Sequence, residues 1–185
     1  MDTEATPWIP AAWKSVLYAE LVVILILAAY SNSFFGPFIF DDIASIKNNT
    51  TIRHLWPPTA ALFPPSEGQT VQGRPVLNLS FALNRAVGGL GVFGFHVTNV
   101  AIHIVASLLL FGIVRRTLLL PSMRPRFGRS ATQLAAAISA LWAVHPLLTE
   151  SVTYVVQRAE SLAGLFLLLT LYCFIRAVRS ANPYR

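Results

Sequence analysis

The sequence predicts an all-α integral membrane protein with about four transmembrane helices and one long extracytoplasmic loop that carries short amphipathic helices. Hydrophobic residues make up 55% of the 185 residues and charged residues only 12%, with a mean hydropathy of +0.58. A soluble domain usually contains about 25% charged residues. This deficit of charge, together with four long apolar runs, indicates a chain whose surroundings are largely lipid.

The four apolar runs define the predicted spans, which approach the roughly 20 residues that a helix needs to cross a hydrocarbon core. We treat the chain as a single membrane domain, and its spans cover roughly residues 13–32, 93–114, 131–148 and 158–175.

Residues 33–92 form the predicted outer loop, which starts where Gly36-Pro37 breaks the first helix. Short helices are expected around 52–63 and 75–87. The second has apolar residues at helical spacing, as expected of a helix that lies flat on a membrane: Val76, Leu79, Leu83 and Val87.

Basic residues predict the orientation of the chain, because cytoplasmic loops carry an excess of lysine and arginine. One side of the membrane would hold nine of them: Lys14, Arg115, Arg116, Arg124, Arg126, Arg129, Arg176, Arg179 and Arg185. Both termini are therefore expected in the cytoplasm, and residues 33–92 and 149–160 share the extracytoplasmic face. Because these arginines flank apolar runs, the net charge of +6 does not indicate nucleic-acid binding.

Adjacent carboxylates follow the first span at Asp41-Asp42. A carboxylate can act as a general base on an acceptor hydroxyl, or hold a divalent metal that neutralises a phosphate leaving group. Adjacent acids also cap helices, where they accept backbone N–H groups. The pair is a candidate catalytic site, and the sequence leaves open which acid would act.

A second polar group lies in the 145–160 segment, on the same predicted face. His145 is a candidate ligand or proton carrier, and the planar guanidinium of Arg158 suits a lipid-linked phosphate. Glu150 and Glu160 could supply the second acid of a metal site or simply pair with Arg158. A salt-bridge cluster that fixes helix tilt remains the alternative.

A third group lies within the second span, where His96, Asn99 and His103 share one helical face. Such residues need polar partners inside a membrane, and hydrogen bonding between helices is their usual use. No fourth metal ligand can be named. The lone cysteine, Cys173, excludes a disulfide framework, and no phosphate-binding loop for a nucleotide is present.

Six motifs in order carry a resemblance to a known family: Phe-Ile-Phe-Asp-Asp (38–42), Ile-Arg-His-Leu-Trp (52–56), Gly-Arg-Pro-Val-Leu-Asn-Leu-Ser-Phe-Ala-Leu-Asn (73–84), Phe-Gly-Phe-His-Val-Thr-Asn-Val-Ala-Ile-His (93–103), Ala-Val-His-Pro-Leu-Leu-Thr-Glu-Ser-Val (143–152) and Gln-Arg-Ala-Glu-Ser-Leu-Ala (157–163). The chain resembles the N-terminal membrane region of the transmembrane and tetratricopeptide-repeat O-mannosyltransferase-like proteins. These are glycosyltransferases of the GT-C class.

The resemblance implies transfer of a sugar from a polyprenyl-phosphate donor to a hydroxyl acceptor outside the cytoplasm, with Asp41 or Asp42 acting on that hydroxyl. Arg158, Glu160 and His145 match the donor side, and Arg74 would frame the lipid entrance. Members of this class have about ten or more spans. The chain is therefore expected to be the N-terminal part of a larger transferase or to work with another chain.

Two other functions fit parts of the pattern. A non-catalytic scaffold would assemble with partner helices through His96, Asn99 and His103. A small transporter would also use intramembrane polar groups, but the sequence has no internal repeat to support one.

Overall fold

The computed structural model describes residues 11–64 and 70–180, and every regular element among them is helical. The all-α prediction is confirmed. Eight α-helices follow one another: α1 (Ala11–Ala29), α2 (Thr59–Leu62), α3 (Pro75–Gly88), α4 (Val92–Leu118), α5 (Arg124–Phe127), α6 (Ala131–Ala143), α7 (Thr149–Thr153) and α8 (Arg158–Ser180). The chain termini at 1–10 and 181–185 lie outside the described residues.

Four of these helices occupy the predicted spans. Two of them, Val92–Leu118 and Val155–Val178, are long and apolar enough to cross a membrane, and the bent pair Ala131–Ala143 and Pro146–Thr153 would make a third span if it crosses as one unit. Helix α1 has 19 residues, which corresponds to about 28 Å at 1.5 Å per residue.

Four predicted boundaries differ from the structure, the last of them at α8, which continues to Ser180. The first helix ends at Ala29, because a 3-10 turn at Ser31–Phe35 follows, in which the Ser33 hydroxyl donates to the Tyr30 carbonyl at 2.7 Å. The second span continues to Leu118. The third helix stops at Ala143, since Pro146 lacks the N–H needed to continue it, and the chain bends there by 54°.

The outer loop contains less helix than predicted around 52–63, where only Thr59–Leu62 is α-helical. The adjacent prolines, Pro57 and Pro58, delay the helix until after them. Helix α3 matches its prediction closely. It starts with Pro75 in its first turn and ends at Gly88, and the next residue, Gly89, has a φ of +63°, which suits glycine.

Helix α4 is the centre of the bundle, since it packs against α1, α3, α6 and α8. Beneath the outer loop, Phe81 of α3 and Phe95 of α4 lie in one buried cluster with Val155. Farther along α4, Val100 packs with residues of α1 and α6, and Phe111 packs with alanines of α6. The apolar residues Val76, Leu83 and Val87 of α3 remain exposed.

Candidate active site at the N-terminal end of α4

Asp42 is buried and holds two separate segments of the chain together. Its side chain is 1% exposed. One carboxylate oxygen accepts the Val156 N–H at 2.7 Å, and the other accepts the Ile39 N–H at 3.2 Å. Because Val156 lies 114 residues farther along the chain, this carboxylate fixes the start of the outer loop against the start of α8.

Burial raises the pKa of Asp42 above its usual range. The two backbone N–H groups and the nearby imidazole of His96 oppose this effect, and Asp41 adds to it. Asp42 is therefore a carboxyl group whose proton is bound more tightly inside the protein than in water.

Asp41, by contrast, has an exposed side chain. Its backbone N–H donates to the Tyr154 hydroxyl at 2.9 Å, and the Thr70 hydroxyl lies 3.4 Å from a carboxylate oxygen. The preceding residue, Phe40, has a φ of +42°, which is uncommon for a residue other than glycine. The surrounding structure holds this strained backbone in place, and the result is a carboxylate presented at the surface.

Arg158 lies inside the protein, at 0% exposure, with its guanidinium directed at neutral groups. Its Nε donates to Asn99 Oδ1 at 2.6 Å, and its Nη2 donates to the Phe95 carbonyl at 2.9 Å. Its Nη1 donates to Ser80 Oγ at 3.0 Å and Asn84 Oδ1 at 2.7 Å. Arg158 thereby joins α3 and α4 to the first turn of α8.

Aromatic rings complete this arginine site. The guanidinium carbon lies 4.7 Å from the ring centre of Phe81 and 5.8 Å from that of Phe95. In the described part of the chain no carboxylate forms an ion pair with Arg158, so the suggested pairing with Glu150 or Glu160 is not formed. Glu150 and Glu160 are both exposed.

The polar face of α4 is buried and forms hydrogen bonds with backbone carbonyls elsewhere in the chain. His96 Nε2 donates to the Gly36 carbonyl at 3.0 Å, and His103 Nε2 donates to the Ala143 carbonyl at 2.8 Å. Asn99 donates to the carbonyls of Val152 and Val155 at 3.2 and 3.4 Å. The scaffold hypothesis assigned this face to partner helices, whereas the structure uses it for packing within the chain.

The other candidate residues, Arg74, Glu150 and His145, have different partners. Arg74 is exposed, and its Nη1 donates at 3.3 Å to the carbonyl of Thr70, the residue whose hydroxyl reaches Asp41. Glu150 lies near enough to Tyr154 to contribute to a raised phenol pKa, which burial raises most. His145 is exposed and accepts the Leu147 N–H at 3.3 Å, so it caps a turn.

The sequence reasoning missed three groups. Tyr154 contacts the backbone of Asp41, and its position four residues after Glu150 was a readable signal. Ser80 and Asn84 bind Arg158, and their spacing of four residues places two polar groups on one face of a mostly apolar helix. Among the described residues, no three histidine, cysteine, aspartate or glutamate side chains gather as a metal site.

The helices and the buried polar face define this chain as an all-α membrane protein region.

Comparison with known proteins finds relatives that are all described as protein O-mannosyl-transferases. Mouse "Protein O-mannosyl-transferase TMTC3" is 33% identical over 171 residues, which cover 88% of this chain and 17% of that protein. Human TMTC4 is 32% identical over 198 residues, covering 98% and 26%. Mouse TMTC2 is 33% identical over 168 residues, covering 86% and 19%.

Over most of its length the chain is similar to the TMTC O-mannosyl-transferases, which confirms the resemblance identified from the motifs. It spans between about a sixth and a quarter of the length of these curated relatives. No family model and no solved structure matches it.

Proposed function

We propose that this chain forms the acceptor-activating part of a GT-C-type glycosyltransferase, with Asp41 as the catalytic acid–base group and Asp42 as the residue that positions it. The observation that carries this proposal is the division between the two acids. Asp42 is buried and fixed by two backbone N–H groups, while Asp41 is exposed beside Thr70 and Tyr154. The names of the relatives support sugar transfer to a protein.

In the proposed reaction the oxygen of an acceptor hydroxyl attacks the anomeric carbon of a polyprenyl-phosphate-linked sugar. The bond between that carbon and the phosphate oxygen breaks, and polyprenyl phosphate leaves with the bonding electrons. The hydroxyl proton passes to the carboxylate of Asp41. General-base assistance of this kind contributes about 10²–10⁴-fold to a rate.

Arg74 is our candidate for binding the donor phosphate, because its side chain is exposed and suits phosphate. It also lies close to Asp41, since both residues contact Thr70. A phosphate that leaves during the reaction needs a cation near it. Glu150, His145 and Glu160 are exposed groups of the same outer segment and remain candidates for donor or metal contacts. Arg158 is buried with its donors engaged, so we assign it a positioning role.

The proposal includes an orientation, with the Asp41-Asp42 loop outside the cytoplasm and both termini inside. The charge distribution supports it, since nine of the 14 lysines and arginines belong to the side opposite this loop. Polyprenyl-phosphate sugars would then reach the acid from the outer leaflet. The exposed apolar edge of α3 at Val76, Leu83 and Val87 is suited to lie in that leaflet.

The test is a sugar-transfer assay on the native gene product in its own membranes, with a radiolabelled polyprenyl-phosphate mannose donor. The intact mass of the product is measured in parallel, because the relatives are far longer than this chain. We expect Asp41→Asn to lower transfer at least 10²-fold, which is the loss of a general base. Glu20→Gln, an equivalent carboxylate-to-amide change at an exposed site in α1, should leave transfer unchanged.

Wild-type transfer rates in both Asp41→Asn and Asp42→Asn would exclude the catalytic assignment. A loss in Asp42→Asn alone would reverse the roles of the two acids. Membrane insertion of each variant is checked by alkaline extraction, so that a variant that fails to insert is not scored as inactive.

A further inference from the structure

The loop that joins α4 to α6 has basic side chains that no acidic side chain contacts among the described residues. We define residues 119–130 as the arginine loop. We propose that this loop binds the phosphate groups of anionic phospholipids at the membrane surface, through Arg124, Arg126 and Arg129. This inference goes beyond the proposed sugar transfer and does not depend on it.

The charges of the loop are exposed. Arg124, Arg126 and Arg129 are all exposed. Within the described residues none of these guanidinium groups forms a hydrogen bond or an ion pair, and the one contact present is Arg126 over the Phe127 ring at 5.1 Å. The sequence contains no aspartate or glutamate between residues 93 and 149. The counter-charge of the three arginines must therefore come from outside residues 93–149.

Two neighbouring arginines at this end of the bundle, by contrast, have their guanidinium groups bound by protein side chains. Arg115 Nε donates to the Thr132 hydroxyl at 3.1 Å. Arg116 donates to the Tyr172 hydroxyl at 3.3 Å and lies 5.2 Å from the centre of that ring. These two brace α4 against α6 and α8, so the three arginines of the loop form a separate, outward-facing set.

The position of the loop selects the class of anion. Helix α4 has 27 residues and is about 40 Å long, which exceeds a hydrocarbon core of about 30 Å. Its end therefore lies at the depth of the lipid head groups. Leu120 is partly exposed, and Phe127 lies next to the arginines, as expected of a segment at the boundary between apolar chains and phosphate.

The loop has a defined shape that holds the arginines together. The Gly128 N–H donates to the Arg124 carbonyl at 2.8 Å, and a Cβ at Gly128 would come within 2.6 Å of that oxygen. The turn therefore closes tightly over α5. A planar guanidinium can bind phosphate oxygens through two parallel N–H groups, and a juxtamembrane basic cluster attracts anionic lipids.

The experiment uses the full chain in nanodiscs of phosphatidylcholine and measures the association of spin-labelled phosphatidylglycerol and spin-labelled phosphatidylcholine by electron paramagnetic resonance. We expect a preference for phosphatidylglycerol that falls as NaCl is raised. The double variant Arg124→Gln/Arg126→Gln should lower that preference about fivefold for each arginine removed. Arg124→Lys/Arg126→Lys keeps the charge and should retain most of it.

The matched control is Lys47→Gln/Arg53→Gln, which removes the same charge from exposed sites of the outer loop. It should leave the preference unchanged. Thermal unfolding of every variant confirms that each is folded. The inference is overturned if the wild-type chain binds both lipids equally, if the control pair lowers the preference as much as the arginine pair, or if excess inorganic phosphate displaces the labelled lipid, which would mean a site for free phosphate.

Discussion

At the N-terminal end of α4 one arginine, Arg158, lies fully inside the protein, whereas beyond its C-terminal end Arg124, Arg126 and Arg129 stay at the surface. Arg158 is surrounded by neutral oxygen atoms and two aromatic rings. The three surface arginines have no such partners among the described residues. The same residue type therefore has opposite uses at the two ends of one helix.

The difference follows from what each end must do. Burying a cation is costly unless hydrogen bonds replace its water, so a chain buries an arginine where fixed geometry is needed. Around Arg158 that geometry places the Val155–Gln157 turn, whose Val156 N–H holds Asp42 and so the loop with Asp41. At the other end the charge itself is the useful property, and it remains available to the solvent and the lipid head groups.

The strongest test of this comparison removes the buried cation. We expect Arg158→Met to lower the free energy of unfolding by about 3 kcal/mol or more, because buried acceptors that lose their donor cost about 1–3 kcal/mol each. Chemical unfolding in detergent micelles measures this change. Arg124→Met, at an exposed site, should change the same quantity by less than about 0.5 kcal/mol.

Arg158→Lys then separates charge from geometry. Lysine keeps the cation but cannot direct donors to Asn99, Asn84 and the Phe95 carbonyl together. We expect this variant to be nearly as unstable as Arg158→Met. Wild-type stability in Arg158→Lys would mean that the charge and not the guanidinium geometry stabilises this end of the bundle.

The sequence predicts the parts of this architecture that depend on local pattern. Apolar runs of sufficient length predict α4 and α8, and the offsets of three, four and seven predict that His96, Asn99 and His103 share a face. Composition extended the third span to residue 148, because Leu147 and Leu148 continue the apolar run past the proline that ends the helix.

The partners of charged groups could not be predicted, because they depend on packing between distant segments. The motif around Arg158 suggested a phosphate ligand, but its actual partners on α3 and α4 lie 59 to 78 residues away. The sequence likewise does not show which of Asp41 and Asp42 is the acting acid. Only the fold distinguishes the buried carboxylate from the exposed one.

A smaller effect tests the opposite end of α4, which relies on packing against α8. A Cβ at Gly112 would come within 2.8 Å of the Tyr172 ring. The guanidinium of Arg116 lies over the same ring. We expect Gly112→Ala to lower the free energy of unfolding by about 1–3 kcal/mol through overpacking. Gly164→Ala, in α8, is the matched control, since nothing lies within 4 Å of its added Cβ. Equal stabilities of the two variants would show that close contact with Tyr172 does not hold this end together.

The smallest expected effect is a dependence of stability on pH that originates at Asp42. Burial raises its pKa in the folded protein, with His96 and the N–H groups of Ile39 and Val156 acting in the opposite direction. The folded state therefore binds this proton more tightly than the unfolded state. The stability due to Asp42 is complete below the ordinary carboxyl pKa and is lost as the pH rises through the raised value.

Thermal unfolding in detergent between mildly acidic and neutral pH measures this dependence. We expect Asp42→Asn to flatten it, because an amide has no proton to lose in this range. Asp41→Asn, which neutralises the exposed neighbour, should keep the decline with rising pH. A wild-type slope that persists in Asp42→Asn would place the titrating group elsewhere. A slope that vanishes only in Asp42→Asn would show that the buried acid, although it holds the loop in place, carries its negative charge at a cost that the exposed acid beside it does not share.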